Sequence, residues 1–121
     1  MIKGIKLVSI PTADQDRALT FWTETMGFVV HTDQPFDEKQ RWIELRIDSS
    51  DAHLVLFTTD DGKSQMGKFS GVSFYCDNVE RTYAELAAKG VEFTGPPQKA
   101  DWGTAAVFKD VDGNMFVLSS R

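Results

Sequence analysis

Cysteine is almost absent: Cys76 is the only one in the chain. No intrachain disulfide can form, and nothing in the cysteine content points to an oxidising compartment. Long apolar runs are missing too. A bilayer-crossing helix needs roughly 20 predominantly apolar residues, and no segment approaches that. Lys3 and Lys6 break up the apolar residues of the opening stretch, so it does not read as a secretory signal, and the cytoplasm is the expected location. Basic residues are outnumbered, with Lys+Arg at 13 against Asp+Glu at 18 and a net charge of −5. No Lys/Arg block stands out, which makes nucleic acid and anionic membranes poor partners. There is no phosphate-binding loop, dinucleotide fingerprint, nucleophile elbow or cysteine pair.

What is present is ordinary globular material. The 121 residues are 41% hydrophobic, 12% aromatic and 26% charged, enough for one domain with a modest core. Ile5–Ile10 reads as a strand closed by Pro11. Thr12 and Asp14 offer caps for a helix reaching about Met26, with Ala18, Phe21, Trp22 and Met26 as its apolar stripe. Phe28–His31 reads as a strand and the polar stretch 32–40, with Pro35, as a loop. Arg41–Ile47 alternates strictly, His53–Thr58 is a further strand, and 60–68 is a polar linker. The plan then repeats. Val72–Cys76 is a strand, Asn78 a cap, and a helix carries Val79, Tyr83, Leu86 and Ala87 up to Gly90. Strands at Val91–Phe93, Thr104–Phe108 and Met115–Ser119 follow, with a loop at 95–97 and a tight turn at Asp110–Asn114. Superposing the halves sets Ser9 on Ser73, Asp14 on Asn78 and Arg17 on Arg81. The expected class is therefore α+β, with two βαβββ modules in tandem at about 1–60 and 69–121 of a single domain.

One helix covers one face of such a sheet. Strand alternation assigns Val8, Ile10, Ile43, Leu45, Ile47, Leu54, Leu56, Val72, Phe74, Cys76, Phe116 and Leu118 to the helix side. Leu7, Ser9, Trp42, Glu44, Arg46, His53, Val55, Phe57, Gly71, Ser73, Tyr75, Thr104, Ala106, Phe108, Met115, Val117 and Ser119 fall on the open face. The first set is apolar, as a core should be. The second mixes aromatic, small and polar residues, which suits a surface that holds a ligand.

The stretch from Ile10 to Trp22, ending in Met26-Gly27-Phe28, resembles the opening module of the vicinal-oxygen-chelate superfamily, which includes the glyoxalase and bleomycin-resistance proteins. The closing stretch Phe108–Leu118 resembles that family's Asp-Pro-Asp-Gly-Asn turn and final strand, with Val111 where proline is usual. Trp102-Gly103 is also typical of many members. The resemblance implies paired modules curling into a cup of mixed sheet, completed in a homodimer. It also implies a divalent metal on the cup-facing strands. The corresponding positions here are Leu7, Val55, Gly71 and Val117, and none of these side chains can bind a metal. The expectation is therefore no metal and no cofactor, as in the drug-sequestering members.

Two function classes follow. The first is metal-independent binding of a small, partly aromatic organic molecule, with Trp42, Phe57, Tyr75, Trp102 and Phe108 as aromatic walls. Glu44 and Arg46 would orient polar groups, and Leu7, Val55, Gly71 and Val117 would line the cup. The alternative is a glyoxalase-like lyase, isomerase or oxygenase with an atypical or cofactor-free site, using Glu44 or His53 as base. Glu44 and Arg46 could equally pair with each other. His31 and His53 do not have the sequence spacing of a close metal-ligand pair. Cys76 reads as a buried small hydrophobe, and Trp22 as core.

Overall fold

The computed structural model describes all residues, Met1–Arg121. The chain divides into two compact units, Met1–Met66 and Gly67–Arg121. The first contains β1 (Leu7–Ile10), α1 (Gln15–Thr20), β2 (Val29–Pro35), β3 (Arg41–Arg46) and β4 (His53–Leu56), followed by a short 3-10 turn at Asp61–Gln65. The second contains β5 (Phe69–Cys76), α2 (Val79–Ala88), β6 (Glu92–Phe93), β7 (Gln98–Ala100), β8 (Gly103–Lys109) and β9 (Met115–Ser120).

Both units share one topology. The first sheet runs β1-β4-β3-β2, and the second runs β5-β9-β8-β6 with β7 also paired to β8. The opening strand of each unit lies parallel to its closing strand, β1 against β4 and β5 against β9. The remaining pairings are antiparallel. A parallel pairing requires a crossover connection, and the helices α1 and α2 lie in these connections.

The internal repeat is visible in the helix caps. Asp14 accepts a hydrogen bond from the Arg17 N–H at 3.1 Å, and Asn78 accepts the corresponding bond from Arg81 at 3.0 Å. Each side chain satisfies a backbone donor that has no partner within its helix. The first helix differs from expectation in one respect. The α-helical pattern stops at Thr20 and continues as a π turn over Phe21–Thr25, so the Met26 N–H reaches back to the Phe21 carbonyl. Trp22 sits in this wider turn with no exposed surface, stacked on Phe28 at 5.4 Å between ring centroids.

The first core is built from Ile10, Trp22, Ile43, Leu45, Leu54 and Leu56, all essentially buried. Gln15 ties α1 to the sheet: its amide donates to the carbonyls of Arg41 and Leu56, and its carbonyl accepts the Arg41 N–H. The second core stacks Phe108 on Phe116 at 5.4 Å, with Phe74 and Phe93 against them. The Asp110–Asn114 turn is closed from within. Asp110 accepts the N–H groups of Asp112 and Asn114, and Gly113 adopts φ +80 to complete it. Val111 replaces the family's proline without loss of the turn, because these side-chain bonds hold it.

Three sequence expectations are corrected. The strand expected to stop at His31 continues through Val29–Pro35, because its polar residues pair with β3 as a sheet edge. A further short strand, Gln98–Ala100, stands where no strand was expected. The faces of β8 are the reverse of the expected ones. Ala106 pairs with Leu118 and Phe108 with Phe116, so both belong to the helix side and Val107 to the open face. A one-residue slip moves every side chain of a strand to the other face.

Candidate functional site

The first sheet carries the densest group of functional side chains. Trp42, Glu44 and Arg46 alternate along the open face of β3, and His53, Val55 and Phe57 along and just beyond β4. Trp42, Phe57 and Phe36 form an aromatic cluster, with ring centroids 5.4 Å apart for Trp42–Phe57 and 4.9 Å for Phe36–Phe57. Phe36 is 59% exposed, so the cluster presents an aromatic surface to solvent.

Beside this cluster lies a polar group. His53 Nδ1 donates a 2.5 Å hydrogen bond to Glu44 Oε2, and Trp42 Nε1 donates to Glu44 Oε1 at 3.2 Å. Glu44 is buried. The hydrogen bond from His53 holds its carboxyl below the usual range, working against the burial that would raise it. The His31 ring stands 4.7 Å from that of His53. His31 reaches this group through a β-bulge: Val30 pairs with Leu45 and Thr32 with Glu44, leaving His31 as the extra residue. Bulges re-aim side chains in this way.

The remaining expected site residues fare differently. Arg46 is exposed and makes no ion pair with Glu44, whose ion-pair partner is His53. Phe108 is fully buried in the second core and presents no surface to a ligand. Val55 pairs with Glu44 on the open face but is itself fully covered. Neither can line a ligand surface. Tyr75 is 59% exposed, with the Arg121 guanidinium 4.9 Å above its ring. Trp102 and Val117 help line an open groove of about 500 Å³ in the second unit, with Pro96 and Val107.

The positions where a family metal would be held can be tested on their own atoms. Leu7 and Val117 are half-buried hydrocarbon, and Val55 is covered hydrocarbon. Gly71 has no side chain and sits at φ +78, a conformation that disfavours any replacement ligand. These residues do not fit a metal at that place.

Comparison with known proteins agrees with this architecture. The family model described as Glyoxalase/Bleomycin resistance protein/Dioxygenase superfamily matches residues 4–118. The chain belongs to that superfamily. Protein YetH of Bacillus subtilis (strain 168) is 36% identical over 118 residues, covering 98% of each chain. A superfamily member from Sphaerobacter thermophilus DSM 20745 superposes with a TM-score of 0.90 at 29% identity, covering 99% of this chain and 98% of its own. TnmS3, an antibiotic binding protein from Streptomyces sp. CB03234, superposes at 0.87 with 32% identity, covering 98% of this chain and 96% of its own. Leu7, at the position of the family's first-strand ligand, pairs with His53, and the cluster of His53, Glu44 and His31 extends from there across β4, β3 and β2.

Sequence reasoning selected Trp42, Glu44, His53 and Phe57 and missed His31 and Phe36. Both omissions come from ending the second strand too early. Once β2 is carried through its bulge, His31 falls on the Glu44 face and Phe36 at its end.

Proposed function

We propose that this superfamily member binds and sequesters a small, partly aromatic organic molecule, acting as a cytoplasmic homodimer without using the family's metal position. The observation that supports it is the Trp42–Phe57–Phe36 cluster beside a buried, hydrogen-bonded carboxylate. Flat rings stack on such surfaces, and an offset or edge contact adds about 0.5–1.5 kcal/mol beyond burial. The Glu44 carboxylate supplies one orienting polar group, as specific pockets require. The likeness to TnmS3, described as an antibiotic binding protein, supports an antibiotic-like ligand.

The test is tryptophan fluorescence with a panel of polycyclic aromatic antibiotics on chelator-treated protein, with mass spectrometry of each compound after incubation. The expected result is saturable quenching by at least one compound, which is recovered unchanged. Trp42→Ala then weakens binding about tenfold or more, equivalent to about 1.4 kcal/mol. Affinity for no compound, or undiminished affinity in Trp42→Ala, would overturn the reading. The short His53–Glu44 hydrogen bond favours a second reading, a cofactor-free lyase or isomerase with this pair as general base. Chemical conversion of a bound compound that is abolished in Glu44→Gln distinguishes it from sequestration.

A further inference from the structure

His31, Glu44 and His53 stand on adjacent strands, and each offers one ligand atom, all within 4.8 Å of one another. We propose that these three side chains form a binding site for a divalent transition-metal ion of the zinc type, displaced from the family's ligand positions toward the β2 edge of the first sheet. Two imidazoles and a carboxylate suit zinc, cobalt, nickel and iron(II). A protein ligand set of this size leaves at least one coordination position open.

The backbone builds the site on purpose-shaped geometry. Glu44 projects from the middle of β3, His53 from the start of β4, and the bulge in β2 turns His31 onto the same face. Metal–ligand bonds of about 2.0–2.2 Å set neighbouring ligand atoms roughly 3–3.5 Å apart. His31 is exposed on an edge strand, so its side chain is free to close the remaining distance. The Glu44–His53 pair stands closer than that, at 2.5 Å across a shared proton, so an ion that takes the proton's place widens this contact toward the ligand spacing. On ion uptake, His53 binds through one ring nitrogen and carries its proton on the other.

The surroundings also fit a cation. Glu44 is buried, and its ion-pair partner is an imidazole; no lysine or arginine pairs with it. A buried carboxylate that no lysine or arginine pairs with gains from a nearby divalent cation. The Trp42 indole fixes Oε1, leaving Oε2 toward the histidines. Such outer partners orient metal ligands, and their loss typically weakens binding 10–100-fold, about the range expected here.

The experiment uses tag-free, chelator-treated protein at about pH 7.5, where an ordinary imidazole is largely neutral. Zn²⁺ uptake is measured by calorimetry and Co²⁺ uptake by visible absorption. The expected result is a single ion per chain, with ligand-field bands for Co²⁺. His31→Ala weakens binding at least about tenfold, and His53→Gln and Glu44→Gln do so as well. Trp42→Phe weakens it about tenfold with the stoichiometry unchanged. His31 is exposed, so its replacement leaves the core intact, and a circular dichroism spectrum checks each variant. No uptake of either ion by the parent protein, or uptake unchanged in His31→Ala and His53→Gln, would overturn the proposal. The antibiotic panel is run without metal, so failure of the sequestration reading leaves this result standing.

Discussion

At the scale of single residues, charge and conformation are settled by a handful of contacts. Asp110 is the strongest case. Burial pushes its carboxyl up to about 6 from an ordinary 3.8, against the lowering effect of the Asn114 and backbone donors around it. Between those two values the folded chain holds a proton that the unfolded chain has released. By linkage, stability falls as pH rises from about 4 to about 6 and is flat above that. Urea midpoints measured at about pH 4.5 and 7 should therefore show this fall in the parent and lose most of it in Asp110→Asn. Asp110→Asn should also be less stable at low pH, by about 1–2 kcal/mol, because its amide nitrogen replaces an oxygen that accepts the Asn114 amide. Gly71 is the opposite kind of residue. At its positive φ a side chain would be strained, so substituting a ligand residue there carries a backbone cost.

At the scale of elements, the repeat is a repeat of caps and pairings more than of identities. Asp14 and Asn78 occupy equivalent places and make equivalent bonds. Asp14→Ala and Asn78→Ala should each destabilise the protein by about 1 kcal/mol, and the double variant should show the sum, since the two caps serve different units. A denaturant titration checks both statements. The strands were legible where alternation was clean, as in β3 and β9, and the caps and the Asp110–Asn114 turn were legible from residue type. The edges were not. β2 (Val29–Pro35) runs on into the polar stretch, through Pro35, because an edge strand needs partners on one side only and tolerates exposed polar side chains. The face of β8 was misassigned because Thr104–Phe108 mixes small and apolar residues on both sides. Only its pairing with β9 decides which side Phe108 takes.

At the scale of the whole molecule, no helix is long and apolar enough to cross a membrane. If the chain sequesters an aromatic ligand, a compound at about 100 times its Kd should stabilise it by about 2.7 kcal/mol. The thermal midpoint should then rise with ligand concentration in chelator-treated protein. A midpoint independent of concentration would argue against binding to the native state.

Residue types and their spacing determined the duplicated module, its helix caps and its apolar helix-facing set, while the family resemblance marked Leu7, Val55, Gly71 and Val117 as ligand positions, where residue type supplies no donor. Those features depend on local chemistry, which the chain carries with it. Which face Phe108 takes, the covering of Val55 and the meeting of His31 with Glu44 and His53 were decided by strand pairing. Each depends on register, and register is set by which strands lie side by side and by a single bulge. His31 and His53 are distant in sequence, and only the folded sheet brings them within reach of one carboxylate.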